Sequence, residues 1–387
     1  MIMKIKITAL VLFALATVLK ADPPITDPLD VEAIFVSSAE QDLSIVNKAI
    51  ALLDEASSGS TVRMAIHNIT RVDVSRAIIN AYQRGVDIKI ISRREGRAIS
   101  HILSEVPEDV VILNDGGAHG PRGNHNKFII ISPLSDEVEY AVFQTTASFT
   151  HIQTRQENDA VVIYNDEGLY HAYLQYWDDM ARNEWDLGYY KEVDTASGIR
   201  LYLFPHYEAD GRIGYLDPIA EVLDGLIVDL GREITNITRS GIAAEPYGTP
   251  LFNAEDVEIR VAMSIWTNRR AGIAHRLAAL HDIGADVKIL VDPSSTSSSL
   301  LSFLEESQIP LAGIDSLHNK QMLVKYPRQD EGFNHLVFTG TANFTQPALR
   351  FRDETIIRVN DESLYDAYLT NWNNIWNDPN TVLQEKE

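Results

Sequence analysis

The sequence predicts an α/β protein made of two similar domains, each a sandwich of helices on a largely parallel sheet. Three observations carry that prediction. Strand-like apolar runs alternate with helical stretches of about 10–15 residues. The pattern is written twice, the second copy lying 193–199 residues after the first. The chain has 387 residues, 45% hydrophobic and 23% charged, a balance that supports a sizeable core and excludes general disorder.

The repeat is legible in three places. Tyr164 to Trp177 (YNDEGLYHAYLQYW) recurs as Val359 to Trp372 (VNDESLYDAYLTNW). Gly85 to Ile90 (GVDIKI) recurs as Gly284 to Ile289 (GADVKI), and His125-Asn126-Lys127 recurs as His318-Asn319-Lys320. Constant order over such a long offset marks duplication of a domain, since solenoid repeats run about 20–50 residues. The two copies are placed at residues 30–185 and 198–378.

Each half opens on an apolar strand (Val31 to Val36; Leu201 to Phe204) and a helix (Ile45 to Leu53; Ile219 to Leu230). A second strand follows (Val62 to Ile66; Ile259 to Ile265), then a helix ending near Gly85 or Gly284 and a strand at Val86 to Ile91 or Val287 to Val291. The His-Asn-Lys segment leads into a buried strand, Phe128 to Ile131 or Gln321 to Val324. A further strand carries Thr145 to Phe149 or Thr339 to Phe344. Asn-Asp-Glu opens the closing helix of each half as an N-terminal cap. Gly231 to Glu255, rich in small and turn-forming residues, has no partner in the first half and reads as an inserted loop.

Residues 1–21 form a unit of their own. Lys4 and Lys6 precede an apolar run from Ile7 to Leu19, shorter than the roughly 20 residues of a membrane span. That is the pattern of a secretory signal peptide. Cleavage would remove Lys4, Lys6 and Lys20, three positive charges, and take the net charge from −22 to −25. The expectation is an exported protein, periplasmic or secreted.

With 55 acidic against 33 basic residues, the chain lacks the general basic surface of a nucleic-acid binder. An acidic surface also disfavours wide adhesion to anionic membranes, leaving only transient contact. Cysteine is absent, which removes disulfides, thiolate metal sites and cysteine nucleophiles. A phosphate-bearing substrate must therefore be held by a local basic pocket.

Residues two apart on a strand share a face, so His125 and Lys127 point one way, as do His318 and Lys320. An imidazole beside a cation suits a phosphoryl group: the ammonium neutralises oxyanion charge while the imidazole attacks phosphorus or moves a proton. With eleven His and eleven Lys, His-x-Lys is expected about 0.3 times by chance, so two copies at equivalent positions carry weight. On the next strand Thr146 and Ser148, like Thr341 and Asn343, can present polar groups to one site. Aligning Arg155 to Asp159 with Arg350 to Glu354 puts the carboxylates of Asp159 and Glu354 at the start of an apolar strand. Such an acid either holds an imidazole tautomer or is a solvated strand end.

These motifs resemble those of the phospholipase D superfamily: His-x-Lys, four residues, Asp, then a Gly-Ser/Gly-x-Asn element and a downstream Glu. The resemblance covers nearly all of residues 30–378. Gly340-Thr341-Ala342-Asn343 matches the second element well, and Thr145-Thr146-Ala147-Ser148 loosely. The motif's own Asp is replaced by Ser132 and Lys325. The resemblance implies two mixed-sheet α/β sandwich domains about a pseudo-twofold axis, with both histidines in one active site. It also implies a phosphohistidine on His125, with His318 as acid and base. Lys127, Lys320, Thr146, Ser148, Thr341 and Asn343 would hold phosphate oxygens, while Asp159 and Glu354 orient the imidazoles. It implies no metal and no other cofactor, and neither His-x-Lys copy has nearby ligands for one.

Substrate choice is expected in the loops, which differ between halves. Arg93, Arg94 and Arg97 cluster after a strand, and Arg122 lies in a glycine-containing loop before His125. They are read as a one-sided anionic subsite. The expected function is an exported phosphodiesterase that hydrolyses a phospholipid head group, or transfers it to an alcohol. Two alternatives stand beside it: a nuclease, and a phosphate-ligand binding protein that has lost turnover. No protein partner is required.

Overall fold

The computed structural model describes residues 29–38, 41–114, 119–186, 188–206, 217–238 and 241–383. The signal segment at residues 1–21 lies outside them. In the first half the elements run β1 (Val31–Val36), α1 (Ser44–Glu55), β2 (Thr61–Ile66), α2 (Val72–Gln83), β3 (Asp87–Ser92) and α3 (Arg97–Leu103). Then come β4 (Val111–Leu113), β5 (Lys127–Ser132), β6 (Ala141–Thr145), β7 (Asn158–Tyr164) and α4 (Glu167–Ala181).

The second half repeats the order with additions. It runs β8 (Lys191–Asp194), β9 (Arg200–Leu203), α5 (Pro218–Asp229), β10 (Arg232–Thr238), β11 (Gly241–Pro246), β12 (Glu258–Met263), α6 (Ala271–Ile283) and β13 (Asp286–Val291). It continues with α7 (Ser298–Glu306), β14 (Leu311–Gly313), β15 (Lys320–Pro327), β16 (Phe333–Gly340), α8 (Gln346–Arg350), β17 (Thr355–Asn360), α9 (Glu362–Trp376) and β18 (Val382–Leu383). The stretch read as an inserted loop is in part an antiparallel hairpin, β10 with β11.

Both sheets are mixed, as the motif resemblance implied, where the alternation of strands and helices alone suggested largely parallel ones. The first has the order β1-β7-β6-β5-β2-β3-β4 and the second β18-β14-β13-β12-β15-β16-β17-β9-β8. Among the described strands, only the helix-linked β2, β3, β4 and β12, β13, β14 run parallel to one another. The His-x-Lys strands pair antiparallel on both sides, because short turns join them onward and no helix crosses over.

The strand period of two sorts the core into layers. Ile129 and Ile131 of β5 pack under α1, α2 and α3, while Phe128 and Ile130 face a central layer that holds α4 and α9. Leu323 of β15 enters that layer from the other sheet, and Met322 and Val324 pack under the outer helices of the second half. The central layer is thus common to both halves. Trp177 of α4 donates to the Met64 carbonyl (2.9 Å) and Trp372 of α9 to the Val261 carbonyl (3.0 Å), the same bond in each copy. Asp166 and Asp361 cap α4 and α9, accepting from the Leu169 and Leu364 amides. No described helix is long and apolar enough to cross a membrane.

Candidate active site

Each His-x-Lys segment is gripped by the opposite half. The His125 amide donates to the Asp353 carbonyl, and the His318 amide to the Glu157 carbonyl, both at 2.9 Å. This reciprocal bracing, as expected of a pseudo-twofold arrangement, brings together two imidazoles that are 193 positions apart in sequence. Lys127 and Lys320 are buried and turn back on their own segments. Their Nζ atoms donate to the carbonyls of His125 (2.7 Å) and His318 (2.5 Å), leaving further ammonium protons for a ligand. Asn126 faces the opposite side, bonding Tyr176 in the central layer.

The imidazoles have different partners. His125 Nδ1 lies 2.8 Å from Glu354 Oε2, so the ring donates there and leaves Nε2 with a lone pair. His318 Nδ1 lies 2.8 Å from Asn158 Oδ1. The Asn158 amide is oriented by its own donations to the Gln153 and Gln156 carbonyls, at 2.9 and 3.0 Å. A second amide, that of Gln153, stands 3.4 Å from His318 Nε2.

Asp159 is therefore not the partner of His318, and the predicted alignment is one residue out. The sheet registers decide this. Thr145 pairs with Ala160, and Gly340 with Ile356, so Asn158 is the counterpart of Glu354 and Asp159 that of Thr355. A one-residue slip moves a strand's side chains to the other face. Asp159 accordingly points into the shared layer, where Asn319 (2.8 Å), Tyr368 (3.0 Å) and Thr339 of the second half donate to it. It joins the halves instead of holding an imidazole.

Burial dominates the electrostatics. It pushes both catalytic-site imidazoles down, and the charges of Lys127 and Lys320 push them further. Burial also pushes Glu354 up to about 7, against the pull of Lys127 and Arg352. Lys320 is brought down to about 7 by desolvation, and Lys127 well below its usual range. Asp159 is raised by the same cause despite its three donors. An anionic ligand among these groups would restore charge to the lysines and proton affinity to the imidazoles.

The remaining predicted residues divide. The Thr146 hydroxyl bonds Asn158 and the Asp159 main chain, and the Thr341 hydroxyl bonds the Thr355 main chain, so both anchor strands. Asn343 accepts from the Ile265 amide, and the buried Ser148 hydroxyl has no partner among the described residues. Gly340 has φ 147°, and a Cβ there would lie 2.2 Å from the Thr355 carbonyl oxygen, which explains the glycine of the second element. Of the four arginines, Arg93 comes next to the site, its amide on the His67 carbonyl. Arg94, in the loop before α3, and Arg97, at its start, are exposed, and Arg122 is exposed before His125. The sequence reading missed two residues. His67, directly after β2, stacks edge-on to His125, and the charge of Arg352 acts on His125, Lys127 and Glu354. His67 was findable as a titratable group at the C-terminal end of a strand, and Arg352 from its place two residues before Glu354.

Residues 251–376 match the family model described as "Cardiolipin synthase, PLD-like domain". A Phospholipase D of Rickettsia bellii (strain RML369-C) is 31% identical over 153 residues, which span 36% of this chain and 71% of that one. The chain belongs to the phospholipase D superfamily. The superfamily fold extends over nearly the whole molecule. A phosphatidylserine synthase of Haemophilus influenzae Rd KW20 superposes with a TM-score of 0.58 at 12% identity, covering 92% of this chain and 87% of the other. A polyphosphate kinase of Porphyromonas gingivalis gives 0.55 at 13%, covering 92% and 48%.

Proposed function

We propose that this superfamily member is an exported phosphodiesterase that cleaves phospholipid head groups through a phosphohistidine. The observation that carries the reading is the bond between His125 Nδ1 and Glu354, which turns the Nε2 lone pair of a neutral imidazole away from the carboxylate, with the charges of Lys127 and Lys320 acting on the ring. In the proposed first step that lone pair attacks phosphorus, and the bond to the leaving alkoxide breaks. His318, having gained a proton as the anionic diester offsets Lys127 and Lys320, gives it to the alkoxide. Neutral His318 then takes a proton from water, the water oxygen attacks phosphorus, and the phosphorus–nitrogen bond breaks to free His125. A primary alcohol in place of water gives a transferred product.

The names of the matched family and of the Rickettsia relative favour a lipid diester, and a net charge of −22 argues against nucleic acid. A second reading has its own support. Asn158 and Gln153 give His318 two neutral amides and no carboxylate, which suits a binding protein without turnover. The test is a panel of phosphatidylcholine, phosphatidylglycerol and cardiolipin vesicles, single- and double-stranded DNA, and bis-p-nitrophenyl phosphate, with and without EDTA. Head-group release from a phospholipid, unchanged by EDTA, is expected. Cleavage of DNA alone would make the protein a nuclease, and turnover of nothing would favour the binding reading.

A further inference from the structure

The site holds a third imidazole that the two-histidine scheme does not use. His67 packs its ring edge-on against His125, with centroids 4.8 Å apart. Its Nδ1 lies 2.7 Å from the Asn124 carbonyl oxygen, which can only accept. The proton therefore sits on Nδ1, and Nε2 carries a bare lone pair. Burial, followed by the charge of Lys127, brings this imidazole down to about 2, so the ring stays neutral and Nε2 stays an acceptor at any working pH. Among the described residues the bond to Asn124 is the ring's one hydrogen bond.

The charged groups that act most on His67 are cationic: Lys127 and Arg93 disfavour its protonation, as does the neighbouring His125. Those donors suit phosphate oxygens, which accept. A diester phosphate has no proton to offer a neutral acceptor, so the complement of His67 must be a donor elsewhere on the substrate. An ammonium group is ill matched to cationic surroundings, whereas a hydroxyl is not. The feature is one-sided. The His67 and Ser264 amides make the same main-chain bond, to the Asn126 and Asn319 carbonyls at 2.8 and 2.9 Å, and the second half has serine there.

Resting on the two-histidine reading, we propose that His67 Nε2 accepts a hydrogen bond from a free hydroxyl on an alcohol esterified to the phosphate. The site then selects diesters of polyols, glycerol being a small example. A pocket built to bond a substrate hydroxyl rejects the analogue that lacks it strongly, because its own polar group is left unpaired.

The test compares glyceryl p-nitrophenyl phosphate with propyl p-nitrophenyl phosphate, two soluble diesters of equal charge. Wild-type kcat/KM should favour the glyceryl ester by at least about 30-fold. His67→Phe, which keeps an aromatic ring against His125, should bring the ratio to within about threefold by loss on the glyceryl ester alone. Equal turnover of both esters by the wild type would overturn the assignment and spare the two-histidine scheme. So would an equal fall on both esters in His67→Phe, which marks a structural role. Cleavage of neither ester by the wild type would sink the two-histidine scheme and this proposal with it.

Discussion

The two His-x-Lys arms share a main-chain frame and differ in what holds their imidazoles. Each histidine amide bonds a carbonyl of the other half, and each lysine turns back to its own histidine. Yet His125 rests on a buried carboxylate and His318 on a carboxamide. A carboxylate stabilises the positive charge that an imidazole gains when it attacks phosphorus; an amide oxygen fixes the tautomer with much less charge support. In the proposed scheme this difference suits the first arm to covalent attack and the second to moving protons.

The sharpest way to break that contrast is Glu354→Gln, which gives His125 the kind of partner His318 has. Turnover should fall by roughly 10³-fold or more, since loss of a buried orienting acid beside a catalytic imidazole has effects of that order. The measurement is single-turnover cleavage of a p-nitrophenyl diester. A loss of only a few-fold would make the two arms equivalent.

Asp159→Ala probes the acid that the strand register moved away from the site. It leaves the donors of Asn319, Thr339 and Tyr368 without their acceptor, at a cost of about 2–4 kcal/mol. Urea unfolding should show the loss as a lower midpoint. Turnover per folded molecule should change far less than in Glu354→Gln. A fall in turnover as large as that of Glu354→Gln, with stability intact, would return Asp159 to the catalytic machinery.

The smallest expected effect comes from Asn158→Asp, which offers His318 the charge it lacks. A carboxylate beside the ring favours the imidazolium and raises its pKa, so the acid form persists to higher pH. The alkaline limb of kcat/KM should move upward by about one pH unit. An unmoved limb would mean that another group, such as Lys320 near 7, sets it.

Much of this was legible in the sequence. The order of strands and helices, the duplication and the two His-x-Lys segments follow from apolar periodicity and from motifs that recur at constant order. Sheet direction came from the motif resemblance and not from the pattern of elements, because the alternation of β2, α2 and β3 was extended to β5, β6 and β7, whose connections hold no crossover α-helix. The misplaced acid has a more instructive cause. From Thr146 to Phe149 the offset to the second half is 195, and it is 195 again from Asp166 to Trp177. Within β7 it is 196, since Thr150 to Asn158 is one residue shorter than Thr345 to Glu354. Asn165, with φ 54°, lies where the count is restored. Two compensating changes at the strand's ends leave the flanking motifs in register and hide the slip between them. His67 was missed for a different reason: it is 58 positions before His125 and belongs to no repeated motif, since its counterpart is Ser264.

The central claim, that His125 is the nucleophile and His318 the proton carrier, is tested most directly by trapping the intermediate. His318→Ala should still react with a p-nitrophenyl diester, whose leaving group needs little protonation, and should then stall for want of a base. Intact-mass measurement after quenching at high pH should show one base-stable, acid-labile phosphoryl group, and peptide mapping should place it on His125. His125→Ala should form no adduct. An adduct on His318 in the His125→Ala protein would contradict the assignment, and the absence of any adduct beside an active wild type would contradict covalent catalysis altogether.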